Sequence, residues 1–421
     1  MKKINCFVAC FFLLVNILHV SAQEKTSFPK FEVKNIADNT FMLVSILNEN
    51  NSANLLVLTG PDGILLVDCG FSASAETLNN TIEELGVGEI KYVINTHYHL
   101  DHTGGNSFFG ENALIFSHEN VKKQLSSGEY LLYDLPQHSL PSITLTNEMT
   151  LYLNGEKIRL IHLKNGHTNG DVIIHFEKSN IVCMGDLLFA DQFPYIEYYT
   201  GGNLKNYFGN IQKAIDMFPG NTMFLAGHGK IYTSDDLQNY HNSLIETIEL
   251  VKSELDNGTS IEKMKQQDIL EKWNLWADGF ISKDMWIESI VTGLSENNYL
   301  AKKSIIDPLF PALAEKDITA VVEKYYELKN NHFEEYYFND NILNMMGYFL
   351  LGKNRIEEAL KIFLLNVEEY PLSFNVYDSL GEAYMINGDT ELAARNYKKS
   401  LELNPENTNA EEKLEELLKN N

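Results

Sequence analysis

The stretch Thr96-His97-Tyr98-His99-Leu100-Asp101-His102-Thr103-Gly104-Gly105 places three imidazoles and a carboxylate within six residues. The apolar run Ile90-Lys91-Tyr92-Val93-Ile94-Asn95 before it predicts a short strand. His97, His99, Asp101 and His102 then sit on the loop leaving that strand's carboxyl end. Loops at that edge of a sheet commonly carry active sites. Four such groups so close together cannot all bind one ion comfortably, but they can divide between two neighbouring ions. Imidazole with carboxylate suits zinc, and also iron or manganese. No cysteine joins the cluster, so nothing selects for a soft metal.

Three further ligand-type residues recur in matching settings. Asn165-Gly166-His167-Thr168 follows the predicted strand Lys157–His162, and Gly185-Asp186 follows Asn180–Met184. Ala226-Gly227-His228-Gly229 follows the predicted strand Thr222–Leu225. Each is expected just beyond a hydrophobic strand, beside glycine. A solvated polar loop at 96–105 would not account for this repetition. Together the segments bring five histidines and two carboxylates to one sheet edge.

Around them the chain alternates strands and helices. Strands are predicted at Thr40–Leu47, Asn54–Leu58, Ile64–Asp68, Ala113–Ser117, Met149–Leu153 and Asp171–Phe176. Helical periodicity marks Ala73–Leu85, Glu119–Ser126 and Leu204–Met217. Past residue 235 the pattern is mostly helical, with Leu237–Leu255, Ser260–Gln267 and Asp284–Thr292, the last expected to stop at Gly293. The reading is a layered α/β domain.

These motifs resemble the metallo-β-lactamase-fold hydrolase superfamily over roughly residues 30–300. Gly60-Pro61-Asp62-Gly63 and Leu66-Val67-Asp68-Cys69-Gly70 also match its early strands. The resemblance implies a four-layered αββα sandwich. It places His97, His99 and His167 on a first metal, Asp101, His102 and His228 on a second, and Asp186 between the two. Asp68 would hold the metal loop in place. The cofactor implied is a pair of divalent ions, zinc first, with iron or manganese as alternatives. Asn169 departs from the proline common after His-Thr in relatives, which changes loop rigidity and not ligation.

The implied chemistry is hydrolysis of an ester, lactone or thioester by a hydroxide shared between the metals. Asp101 or Asp186 would relay a proton, and Tyr195, in the loop Asp191–Tyr199, would assist the oxyanion or leaving group; packing is that tyrosine's plainer role. A β-lactamase acting on lactam amides is the alternative. The bridging carboxylate, usually absent from true β-lactamases of this fold, favours the glyoxalase II-like and lactonase branches. A third reading makes the chain a non-enzymatic protein- or peptide-binding module.

That third reading comes from the C-terminal region. Gly347, Ala359, Phe363 and Pro371 recur as Gly381, Ala393, Tyr397 and Pro405, each offset by 34 residues. This is the tetratricopeptide-like helix-turn-helix pattern. The units span about 340–373 and 374–407, with a divergent pair at 306–335 and a capping helix at 408–418. The expected organisation is a signal peptide at 1–22, a catalytic domain at 23–304 and an all-α repeat domain at 305–421. The repeats suggest a homodimer or a protein partner.

At the amino end, Lys2 and Lys3 precede an apolar stretch from Phe7 to Leu18 and the small-residue pattern Val20-Ser21-Ala22. This reads as a secretory signal peptide, with an uncleaved anchor as the alternative. The expected location is periplasmic or extracellular, with no transmembrane segment in the mature chain. Cleavage would leave Cys69 and Cys183, expected as buried free thiols, with a bridge between them as the alternative. The formal charge of −25, with no basic run to offset it, argues against nucleic acid as a partner and leaves a small-molecule substrate.

Overall fold

A computed structural model describes residues 30–47, 50–85, 88–127, 135–295, 303–315, 317–333, 335–338, 340–405 and 407–419. The expected signal peptide, with Cys6 and Cys10, lies outside the described residues. The chain divides into two compact units between residues 300 and 301. Among the described residues no helix is long and apolar enough to cross a membrane.

The first unit contains two sheets. One runs β1 (Lys30–Ala37), β2 (Thr40–Leu47), β3 (Asn50–Leu58), β4 (Ile64–Val67), β5 (Ile90–Ile94), β6 (Leu114–His118) and β7 (Ile143–Leu145), in that spatial order. The other is ordered β13 (Ile231–Tyr232), β12 (Met223–His228), β11 (Ile181–Phe189), β10 (Val172–Phe176), β9 (Glu156–His162) and β8 (Glu148–Leu153). Strands β4, β5, β6 and β7 pair in parallel, as do β11 and β12. Their carboxyl ends therefore share an edge within each sheet.

Side-chain alternation sorts the layers, because successive strand residues face opposite sides. Met42, Val44, Leu56, Leu58, Leu65 and Val67 of the first sheet join Ile158, Leu160, Val172, Ile174 and Phe176 of the second in one core. The intervening Leu43, Leu55, Val57, Ile64 and Leu66 turn outward against Leu78 and Ile82 of the helix Ala75–Glu83. On the other side, Ile173, Val182 and Met184 pack with residues of helices Leu204–Met217, Ser234–Asp256 and Lys283–Leu294. The result is αββα, as the resemblance implies. Strands covered on both faces explain the unbroken apolar runs at 64–67 and 181–184.

Three expectations are corrected. Gly185 and Asp186 do not follow a strand; β11 continues through them to Phe189. The strand does break register at Gly185, whose φ is 51°, and this bulge turns the Asp186 side chain out of the regular alternation. Nor does His228 follow a strand, since β12 runs through Ala226 and Gly227 to end on it. Gly293 does not stop a helix either. It lies buried inside Lys283–Leu294, where a Cβ would come within 2.5 Å of Leu204.

The second unit consists mainly of helix pairs. Ile306–Glu315 pairs with Ile318–Asn331, Asp340–Gly352 with Ile356–Glu369, and Phe374–Asn387 with Thr390–Leu403, before a final helix Thr408–Lys419. The 34-residue repeat has a direct packing cause. A Cβ on Gly347 would lie 2.5 Å from the Phe363 ring, and one on Gly381 would lie 3.0 Å from the Tyr397 ring. In each pair a glycine on the first helix admits an aromatic ring from the second. Ala359, Phe363, Ala393 and Tyr397 are all fully buried.

Candidate metal centre

The loops converge as two groups of ligand atoms. His97, His99, His167 and Asp186 form one, and Asp101, His102 and His228 the other, with ligand atoms in each group within 4.8 Å of one another. In the first, Nδ1 of His99 lies 3.0 Å from Nε2 of His97 and 3.0 Å from Nε2 of His167. In the second, Oδ2 of Asp101 is 3.3 Å from Nε2 of His228 and 3.5 Å from Nε2 of His102. A tetrahedral ion with bonds of about 2.0–2.1 Å separates its ligands by roughly 3.4 Å, so the spacing suits one ion per group.

Asp186, a member of the first group, also faces the second. Its Oδ2 is 3.6 Å from Nε2 of His97 and 3.6 Å from Nε2 of His167. Its Oδ1 is 3.2 Å from Nε2 of His102 and 3.4 Å from Nε2 of His228. Glycine makes this placement possible: a Cβ on Gly227 would sit 2.1 Å from Asp186 Oδ1. Among the described residues, Oδ1 of Asp186 and Nε2 of His102 are buried without a hydrogen-bond partner, the condition that a bound ion relieves.

Four of the five imidazoles have their non-ligand nitrogen held by a partner, as metal-bound histidines almost always do. Nδ1–H of His102 donates to Asp68 Oδ2 at 2.8 Å. Nδ1–H of His167 donates to the Tyr195 carbonyl at 2.6 Å. Nδ1 of His97 meets the Thr96 hydroxyl at 3.1 Å, and Nε2–H of His99 donates to Glu197 Oε2 at 3.3 Å. The Nε2 atoms of His97, His102 and His167, and Nδ1 of His99, are thereby the ring nitrogens turned toward the other ligand candidates. His228 is fixed differently, its ring stacked on Phe189 at 5.2 Å.

The two groups differ electrostatically. Burial and neighbouring imidazoles lower His97 and His167 and push His99 down to about 3, so these rings stay neutral and ready to ligate. Burial alone would raise the Asp186 carboxyl, but His228, His102 and His97 hold it well below the usual carboxylate range. Asp101 is depressed in the same way by His102 and His228. Against burial, Asp186 and Asp101 push His228 up to about 10 and His102 well above its ordinary value. Metal uptake at the second group therefore displaces protons.

Asp68 shows how the scaffold holds the loop. It follows β4 with φ at 57°, a backbone cost of roughly 1–2 kcal/mol. Its carboxylate accepts the Thr96 backbone N–H and the Thr96 hydroxyl, both at 2.8 Å, besides the His102 imidazole. Three hydrogen bonds to a buried carboxylate outweigh that cost.

The structure brings together all seven metal-ligating candidates. The Tyr195 ring stacks near His99 at 6.1 Å and meets Phe280 at 5.8 Å. Its phenol, pushed up to about 12 by burial, remains protonated and able to donate. His118 and His162 are stacked on each other at 3.7 Å. Cys69 and Cys183 are free and buried.

Three supporting residues escaped the sequence reading. Asn54 of β3 donates to the carbonyls of Ala226 and Gly229 at 2.9 and 2.8 Å, bracing the His228 turn from the other sheet. Asp171 accepts the Thr168 N–H and hydroxyl beside His167. Glu197 reaches His99 from the loop after β11. Asn54 and Glu197 carry no local mark, because each acts on a residue supplied by another segment, whereas Asp171 acts within its own loop, three residues from Thr168.

Residues 49–228 match the metallo-beta-lactamase superfamily profile. The first unit has a metallo-β-lactamase-superfamily fold. Residues 374–407 match the tetratricopeptide repeat. A "probable metallo-hydrolase" of Methanocaldococcus jannaschii is 28% identical over 155 residues, covering 35% of this chain and 73% of that protein. A metallo-β-lactamase of Chryseobacterium indologenes is 26% identical over 178 residues, covering 42% and 72%. A hydroxyacylglutathione hydrolase of Prochlorococcus marinus is 27% identical over 217 residues, covering 47% and 80%. Among solved structures, a metallo-β-lactamase from Pontibacter korlensis aligns at 19% identity with TM-score 0.44, covering 51% of this chain and 98% of that one.

Proposed function

We propose that the chain is an exported, dinuclear metal-dependent hydrolase that cleaves an ester, lactone or thioester. The observation that carries this reading is the division of Asp186, with one oxygen toward each group of histidines. A carboxylate so placed suits two ions held side by side. His97, His99 and His167 would hold the first ion, Asp101, His102 and His228 the second, and Asp186 both. Two divalent ions supply an activated water and polarisation of the scissile carbonyl. Zinc is the ion proposed first, with iron or manganese as alternatives, because a donor set of imidazole and carboxylate suits all three.

The chain's own residues would do the rest. Asp101 lies within 3.3 Å of His228 and is half-buried at the edge of the site, placed to take up and pass on a proton. The protonated Tyr195 phenol lies along the first group and is proposed to donate to the developing oxyanion or leaving group. Tyr195 and Phe280 give the substrate an aromatic wall. Hydrolysis at an acyl carbon is in keeping with relatives named as a hydroxyacylglutathione hydrolase and a metallo-β-lactamase. Export rests on Lys2, Lys3, the apolar stretch after them and Val20-Ser21-Ala22.

The test is metal analysis of the purified full chain, with turnover measured on esters, thioesters, lactones and β-lactams before and after chelation. The expected result is two zinc equivalents and acyl-ester or thioester turnover that is lost with the metal and restored by it. Uptake of a single equivalent, or no turnover in either state, would sink the proposal. Preference for β-lactams would shift it to the lactamase alternative.

A further inference from the structure

We propose that Glu197 is the positioning residue of the first metal group, fixing the tautomer and orientation of His99. The inference rests on the metal-site reading above and adds a residue to it. Glu197 is 1% exposed. A carboxylate buried so deeply is costly unless donors surround it. Four side-chain donors do so here. Its Oε2 accepts the Tyr98 hydroxyl, the Thr200 hydroxyl at 2.5 Å and Nε2–H of His99 at 3.3 Å, while Oε1 accepts the Tyr199 hydroxyl. Four donors directed at its two oxygens use the carboxylate as an acceptor on both sides.

The same residue reaches the second histidine loop through its backbone. Glu197 N–H donates to the His167 carbonyl at 2.9 Å, and the Glu197 carbonyl accepts Gly202 N–H at 2.9 Å. This tight turn depends on glycine: Gly201 has φ at 96°, and a Cβ on Gly202 would lie 2.3 Å from the His167 carbonyl. Segment 195–202 therefore ties two ligands of one ion. The Tyr195 carbonyl orients His167, and the Glu197 carboxylate orients His99. His99 is the ligand turned the other way round, offering Nδ1 where His97 and His167 offer Nε2. An imidazole can do that only if its Nε2 keeps the proton, and Glu197 is the acceptor for that proton.

Outer partners of this kind typically govern metal affinity by about 10- to 100-fold. The experiment is zinc stoichiometry and affinity of the full chain, wild type against Glu197→Gln, by competition with a chromogenic chelator. Cobalt-substituted spectra and far-UV circular dichroism accompany it. Folded E197Q is expected to hold one equivalent about 10- to 100-fold more weakly, keep the other, and show an altered cobalt spectrum. Wild type that takes up no zinc overturns this inference together with the functional proposal. Wild type with two equivalents and a folded E197Q indistinguishable from it overturns this inference alone. Should E197Q not fold, imidazole nitrogen NMR of the zinc-loaded wild type decides. A His99 ring metallated at Nδ1 and protonated at Nε2 supports the assignment, and one metallated at Nε2 overturns it.

Discussion

Oδ1 of Asp186 lies 3.4 Å from Nε2 of His228, a ligand of the second group, while the other carboxylate oxygen faces the first. Both oxygens are needed for the arrangement. Asp186→Asn leaves one acceptor oxygen and replaces the other with an amide nitrogen, which cannot ligate. The expected outcome is fewer than two metal equivalents and a turnover loss beyond the roughly 100-fold typical of residues one step removed from a metal. Metal analysis and steady-state kinetics check it. Two retained equivalents with near-normal turnover would contradict the bridging role.

Gly227→Ala probes the same carboxylate without touching a ligand. The new Cβ would fall 2.1 Å from Asp186 Oδ1 and 2.7 Å from the Gly185 backbone, so Asp186 must move. Overpacking of this kind costs about 1–3 kcal/mol. We expect a lower melting temperature together with weaker metal binding. Gly209→Ala is the control: nothing lies within 4 Å of its new Cβ, and it sits in the helix Leu204–Met217. There alanine should stabilise by about 0.5–1 kcal/mol and leave metal content unchanged.

The stacked imidazoles set a pH response of the fold. His162 is pushed down to about 4 by burial, with His118 against its face adding to the effect. In this range the unfolded chain binds a proton that the folded chain refuses. Stability is thus fully present above about 6.5 and is lost as pH falls from there toward 4. Because His162 is half-buried and screened, the loss should be no more than roughly 1–2 kcal/mol. His162→Gln keeps a donor for the Asp171 carbonyl and removes the titration. Melting temperatures of H162Q from pH 7 to pH 4 should fall less steeply than those of wild type; parallel curves would refute this.

Gly347→Ala tests the repeat packing. The added methyl would meet the Phe363 ring at 2.5 Å, which predicts a loss of about 1–3 kcal/mol from the helical unit. Hydrogen exchange should show faster opening of helices Asp340–Gly352 and Ile356–Glu369. Metal content should stay the same, since all seven ligand candidates lie between His97 and His228.

Much of this molecule was legible before its fold. Apolar runs at 64–67 and 181–184 read as strands, and they are unbroken because burial on both sides demands apolar residues at every position. The recurrence of His167, Asp186 and His228 beside glycine pointed to close approach, but not at one sheet edge: these three come from the second sheet and His97, His99, Asp101 and His102 from the first. Gly185 was harder. A short apolar run followed by Gly-Asp looks like a strand ending, and the bulge that carries β11 on to Phe189 depends on its pairing with β12. Gly293 misled for a similar reason: a glycine near a helix end reads as a stop until Leu204 is seen packed against it.

The sequence by itself determined the donor types, the strand-loop settings that carry them and the 34-residue helical period, because these follow from local chemistry and periodicity. Only the tertiary structure decided how Asp186 divides its oxygens, that Asn54 braces the His228 turn across 172 residues, and that Glu197 reaches His99 across 98. Those contacts join residues from different strands and loops. They exist only once the two sheets have packed face to face, and no local pattern encodes which distant side chain will arrive.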